Sequence, residues 1–160
     1  MTPTAGNGGP GLRPARARSG FSLIELMVVV AAVGILAAIA YPSYVKSITK
    51  TRRRAAEACL VNYGTYMERY YTTNLSYAED RDGTAMSTAV LTALGMDCAS
   101  TANTGADYTY SLSSVSSSAY TLKATPTGVQ ATRDAACGAL TLDQTGTKGV
   151  TGTSTATACW

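Results

Sequence analysis

Residues 19–41 read SGFSLIELMVVVAAVGILAAIAY, and the chain passes there from polar to apolar within three residues. Between Phe21 and Tyr41 a single side chain is charged, Glu25. As a helix rising about 1.5 Å per residue, this run extends about 31 Å, enough to cross a bilayer. A carboxylate placed in lipid costs about 2.5–3.5 kcal/mol, so its presence points to a task or a partner.

Upstream, residues 1–20 are rich in Gly, Pro and Arg and have no apolar periodicity, a composition that predicts disorder. Arg13, Arg16 and Arg18 account for the whole formal charge of +3. The rest of the chain is neutral, without the global basic field of a dedicated nucleic-acid binder, so nucleic acid is not an expected partner. A secretory signal peptide has an apolar stretch of about 7–15 residues and a small-x-small cleavage site. Here the run is longer and is followed by Pro42-Ser43-Tyr44. The segment is expected to be retained.

Downstream, Val45, Ile48, Ala55, Ala56, Cys59, Tyr63, Met67 and Tyr70 recur at three- and four-residue steps. Lys46, Lys50, Arg53, Arg54, Glu57 and Glu68 fill the other faces, so the spacing predicts one helix from about Phe21 to Tyr71. Pro42 removes a hydrogen bond and should bend it, and Gly34 is a second weak point. Three adjacent arginines, Arg52, Arg53 and Arg54, cover about 300° of a helix and cannot all face one partner. They read as a solvated face, or as contacts to headgroups or to acids of adjacent subunits.

Residues 75–106 read as a mixed connection with a short helix from Thr88 to Leu94. Tyr108, Tyr110 and Leu112 then alternate with polar residues, as do Tyr120, Leu122 and Ala124, around a serine-rich loop, Ser113–Ser118. After Thr125-Pro126-Thr127-Gly128 comes a polar stretch with no expected element, then a third strand is expected over Ala139–Asp143, followed by a Thr/Gly-rich tail. The layout is α+β: a long N-terminal helix packed on a small antiparallel sheet. Of the ten tyrosines, Tyr63, Tyr66, Tyr70 and Tyr71 lie on the late helix and Tyr108, Tyr110 and Tyr120 on strands, and their spacing reads as packing between helix and sheet rather than as a sugar- or surface-binding patch.

Cys59, Cys98, Cys137 and Cys159 are widely spaced, and the chain has no histidine. That spacing lacks the tight pairs of a zinc site and suits two disulfides in an oxidising compartment. Four cysteines allow three pairings, and sequence does not choose among them. Closing the short C-terminal loop favours Cys137 with Cys159, which leaves Cys59 with Cys98. No metal, cofactor or catalytic constellation is apparent: there are no paired carboxylates at useful spacing, no Gly-x-Ser-x-Gly and no phosphate-binding glycine loop. A non-enzymatic role is expected.

The junction Gly20-Phe21-Ser22-Leu23-Ile24-Glu25-Leu26 resembles the class III signal of type IV prepilins. The resemblance implies cleavage after Gly20 by the prepilin peptidase, N-methylation of Phe21, and an assembly contact at Glu25. It covers residues 13–71 and extends to the Cys137–Leu142 strand and the Cys159-Trp160 terminus, which look like a PilE-like minor pilin. Residues 1–20 are then a leader, 21–42 a transmembrane and filament-core helix, and 43–160 a periplasmic, later extracellular, globular domain. The implied partners are prepilin peptidase, other pilin subunits, the inner-membrane pilus assembly machinery, and the membrane before assembly. In such a filament the Glu25 carboxylate of one subunit pairs with the amine of Phe21 on a neighbour.

Two points compete with that picture. Positive charges flanking the span are more numerous after it than before it, which by the positive-inside rule places the C-terminal part in the cytoplasm. The cysteines and the prepilin-like junction argue for the opposite orientation, which we adopt. The alternatives to a pilus subunit are a type II secretion pseudopilin, a pilus-associated subunit that binds DNA or a surface, and a membrane-anchored periplasmic domain that never polymerises.

Overall fold

The computed structural model describes residues 22–160. The chain divides at Ala40/Tyr41 into two compact units. Helix α1, Leu23–Asn74, contains Pro42. It runs three residues beyond the predicted end because the hydroxyls of Thr72 and Thr73 donate back to the Arg69 carbonyl at 2.7 and 3.2 Å. Leu75, at φ 59°, then takes the left-handed conformation that closes helices and donates its N–H to the Tyr71 carbonyl.

In the second unit, α1 is followed by α2 (Thr88–Ala93), a 3-10 turn (Asp97–Ala99), β1 (Tyr108–Val115), β2 (Tyr120–Pro126), α3 (Gly128–Arg133), β3 (Leu140–Asp143), β4 (Lys148–Val150) and α4 (Ala156–Cys159). Helix α2 is capped by Ser87, whose hydroxyl accepts from the Val90 N–H. The four strands form an antiparallel meander in sequence order. Its register aligns Leu112 with Leu122 and Leu122 with Leu142 across three strands. Alternation thereby delivers one apolar row to one face.

Against that face lies a stripe of α1: Thr49, Arg53, Ala56, Leu60, Tyr63 and Met67, all buried. Steps of four and three residues keep these positions on one side of a helix. With Tyr108, Tyr120, Leu122, Leu140 and Leu142 they form the core. Gly64 sits where helix and sheet approach: a β-carbon there would lie 3.5 Å from Leu142 Cδ2 and from the Tyr120 hydroxyl. Tyr63, Tyr108 and Tyr120 are buried at this interface, with Tyr63 and Tyr110 rings 5.4 Å apart and Tyr77 edge-on to Tyr120 at 4.8 Å. Tyr66, Tyr70 and Tyr71 are only half-buried.

Disulfides join Cys59 to Cys98 and Cys137 to Cys159, spanning 39 and 22 residues. Closing loops of these lengths constrains the unfolded chain by about 3–4 kcal/mol each. The first ties α1 to the 3-10 turn, and the second ties α4 to the segment entering β3. There Gly138, at φ 64°, permits the turn, and a β-carbon on it would collide with the Gly152 backbone and the Thr151 hydroxyl.

Three expectations are corrected. The serine-rich loop is shorter than Ser113–Ser118: β1 runs to Val115 because Ser114 and Val115 pair with Thr121 and Tyr120 after a bulge at Ser113. The tail contains β4 and α4, since Val150 pairs with buried Leu140 and Cys159 is drawn inside by its disulfide. The polar stretch after Gly128 is helix α3, which carries Gln130 into the core.

Candidate functional site

The first unit presents an apolar helical surface. Leu23, Ile24, Leu26, Met27, Val30 and Leu36 are each at least half exposed. By length and composition this helix is able to cross a membrane. Glu25 stands in its first turn, exposed, with no hydrogen bond or ion pair among the described residues. Its carboxylate is favourably placed near the positive end of the helix. Ser22 and Glu25 also have the spacing of a capping box, in which a glutamate reaches back to the backbone at the helix start. Gly20 and Phe21 lie outside the described residues.

The second unit anchors α1 through buried polar contacts. Arg53, 8% exposed, occupies a core position of the stripe. Its Nε donates to the Cys159 carbonyl at 2.8 Å, and a guanidinium nitrogen pairs with Asp134 Oδ1. Asp134 Oδ2 accepts from the Tyr108 hydroxyl and from Gln130 Nε2 at 3.3 and 3.4 Å. Gln130 Nε2 also donates to the Thr49 carbonyl and to the Tyr108 hydroxyl, both at 3.0 Å. One buried network therefore joins α1, β1, α3 and the disulfide-bonded C-terminus. Burial raises the Tyr108 hydroxyl well above the ordinary phenol value, so it remains a donor.

This network corrects the reading of the arginine triplet. Arg53 is not on a solvated face: its charge is matched inside the chain by Asp134. Arg52 pairs with Asp107, leaving Arg54 exposed and unpaired among the described residues. The half-exposed Arg52 pair is worth about 0–1 kcal/mol, whereas removing one partner of the buried pair costs about 3–5 kcal/mol.

Glu57, one turn after Arg53, has a buried Oε1 without a hydrogen-bond partner, 3.9 Å from Arg53 Nε. Its pKa is raised by burial, which outweighs the attraction of Arg53 and Lys148. Glu68 accepts from both Tyr77 and Tyr120, linking α1 to the loop after it and to β2. Burial, and then that bond to Glu68, push the Tyr77 hydroxyl up to about 12. Among the described residues no group of three or more His, Cys, Asp or Glu is arranged to hold a metal ion.

Two family models match the chain. Residues 15–41 match the "prokaryotic N-terminal methylation motif", which includes the junction and the apolar helix. Residues 42–141, more than half of the chain, match "Type IV minor pilin ComP, DNA uptake sequence receptor". The chain belongs to the type IV pilin family. The pilin is 30% identical over 113 residues to the type IV wide pilus major component PilA4 of Thermus thermophilus, covering 71% of this chain and 77% of that one. It is 40% identical over 63 residues to the type IV major pilin PilA of Myxococcus xanthus, covering 39% of this chain. It is 48% identical over 56 residues to the type IV major fimbrial protein FimA of Dichelobacter nodosus, covering 28% of this chain. The matched regions span 26% of the Myxococcus protein and 36% of the Dichelobacter protein.

Within this pilin, sequence reasoning missed Arg53, Gln130, Asp134 and Glu68 as fixing residues. A usable signal existed for Arg53. Thr49 and Arg53 continue the stripe of Ala56, Leu60, Tyr63 and Met67, and a search restricted to apolar residues passes over them.

Proposed function

We propose that this chain is a structural, non-enzymatic subunit of a type IV pilus, of the minor-pilin kind. In this reading it is made as a prepilin with residues 1–20 as leader. Prepilin peptidase cuts between Gly20 and Phe21, and the new terminal amine on Phe21 is methylated. Residues 21–42 hold it in the inner membrane with residues 43–160 in the periplasm, until the assembly machinery transfers it into the filament. The observation that carries the reading is the exposed apolar start of α1, continuous with a helix locked into a folded domain. Such a surface needs lipid or other apolar helices around it.

Glu25 is the assembly contact. Cleavage creates a charge of opposite sign four positions away, and in a bundle of parallel helices a neighbour's amine meets this carboxylate. In an apolar core an unmatched carboxylate is strongly unfavourable, so the pair sets the axial stagger of subunits. Glu25→Ala and Glu25→Gln test the idea together, because glutamine keeps the size and hydrogen-bonding capacity of the side chain and loses the charge. Both variants are expected to insert into membranes, with severalfold less of either in sheared filaments. Normal incorporation of the glutamine variant would show that the charge of Glu25 is not needed for assembly and would contradict the pairing.

A second reading is favoured by one observation, the match of residues 42–141 to a family described as a DNA uptake sequence receptor. In it the same subunit binds DNA at the filament surface. Duplex DNA of defined sequence, titrated against the full chain in detergent, tests it. Micromolar or tighter binding to one sequence over scrambled controls would support it, and equal weak binding to all would reject it.

A further inference from the structure

The triplet's two internal ion pairs leave a different set of cations unmatched. Lys46 and Lys50 are exposed on successive turns of α1, and Arg133 is exposed at the C-terminal end of α3. None of the three has an ion-pair partner among the described residues. Together with Val45, Thr49, Arg53 and Asp134 they line one groove of about 310 Å³. Its four cations face a single carboxylate, Asp134, which is already engaged by Arg53. The groove is therefore electropositive and open to an anion.

We propose that this groove holds the phosphates of anionic phospholipid headgroups while the apolar part of α1 is in the bilayer, with Lys46, Lys50 and Arg133 as the binding residues. The proposal rests on the membrane-anchored stage of the preceding section. Lipid is favoured over nucleic acid or a protein acid by position along α1. Lys46 and Lys50 follow Tyr41, the end of the apolar run, by about 8 and 14 Å of helix. A headgroup layer is about 5–8 Å deep, and lysine side chains are long enough to reach back into it. A basic residue at an anionic surface is favourable, and several add. The same contacts give the downstream positive charges, which oppose the positive-inside rule, a counter-ion outside the cytoplasm.

The test uses the full chain reconstituted in bilayers of phosphatidylcholine containing one-quarter phosphatidylglycerol. Spin-labelled phosphatidylglycerol and phosphatidylcholine, added separately, report by electron paramagnetic resonance how strongly each lipid is immobilised. Wild type should prefer the anionic label by about three- to fivefold. The K46Q/K50Q/R133Q variant should lose that preference, and Arg81→Gln, an exposed cation elsewhere, should keep it. Thermal melts of all three should coincide, since every substituted side chain is exposed. No preference in wild type, or a preference retained in the triple variant, would overturn the proposal. So would a preference abolished by soluble phosphate but not by chloride of equal ionic strength, which would assign the groove to a free anion. Loss of duplex DNA binding in the triple variant, without lipid preference in wild type, would assign it to nucleic acid. Flotation with vesicles separates the two levels: a chain that does not float contradicts the anchoring reading itself, whereas one that floats without lipid preference contradicts only the groove.

Discussion

At the scale of single residues, the Arg53–Asp134 pair carries the largest testable energy. Both side chains are nearly inaccessible, so neither charge has water to fall back on. Asp134→Ala should destabilise the folded domain by about 3–5 kcal/mol in denaturant titration, and Arg52→Ala by less than about 1 kcal/mol. Equal effects would contradict the assignment of buried and surface pairs. Glu57 acts in the opposite sense. Its folded pKa is raised above 4.5 by burial, so the fold favours the protonated form. Its contribution is present below the unfolded value and is lost as pH rises through the higher folded value. Glu57→Gln, neutral at every pH, should therefore melt higher than wild type at pH 7 and match it near pH 4. A variant that melts lower at pH 7 would mean that the attraction of Arg53 outweighs the burial cost. These residues were poorly legible in sequence. Arg53 carries a charge at a core position, Asp134 reaches it from 81 residues away, and Gln130 reaches the neighbouring Thr49 carbonyl across the same separation of 81.

At the scale of elements, α1 was legible because two signals overlap in it: an unbroken apolar run and then a stripe at helical spacing. Strands β1 to β3 were legible by alternation, with Leu112, Leu122 and Leu142 all on the inner face. What failed were the short polar elements. Strand β4 is only Lys148–Val150, and α3 and α4 are held by Gln130 and Cys159 through distant partners rather than by local pattern. The packing of α1 on the sheet yields a further expectation at Gly64. Its backbone is helical and a β-carbon would meet Leu142 and Tyr120 at ordinary contact distance. Gly64→Ala should then raise stability by about 0.5–1 kcal/mol, the cost of glycine inside a helix. A loss of stability in thermal or denaturant melts would show that the interface has no room for a methyl group.

At the scale of the whole molecule, the two units divide the labour chemically. The first offers apolar side chains and one carboxylate, and the second is fixed by a core, buried ion pairing and two disulfides. Membership of the type IV pilins rests on both, since separate family models match residues 15–41 and 42–141. The junction at Gly20 and Phe21 is readable as a pattern of residue types, whereas the cleavage proposed there would depend on a separate enzyme. The partner proposed for Glu25 comes into being only when that bond is cut. Intact-mass spectrometry of the chain recovered from sheared filaments tests this directly. The account predicts a chain beginning at Phe21, carrying one added methyl group and two disulfides. Absence of the chain from filaments, or its recovery there with residues 1–20 attached, would contradict it.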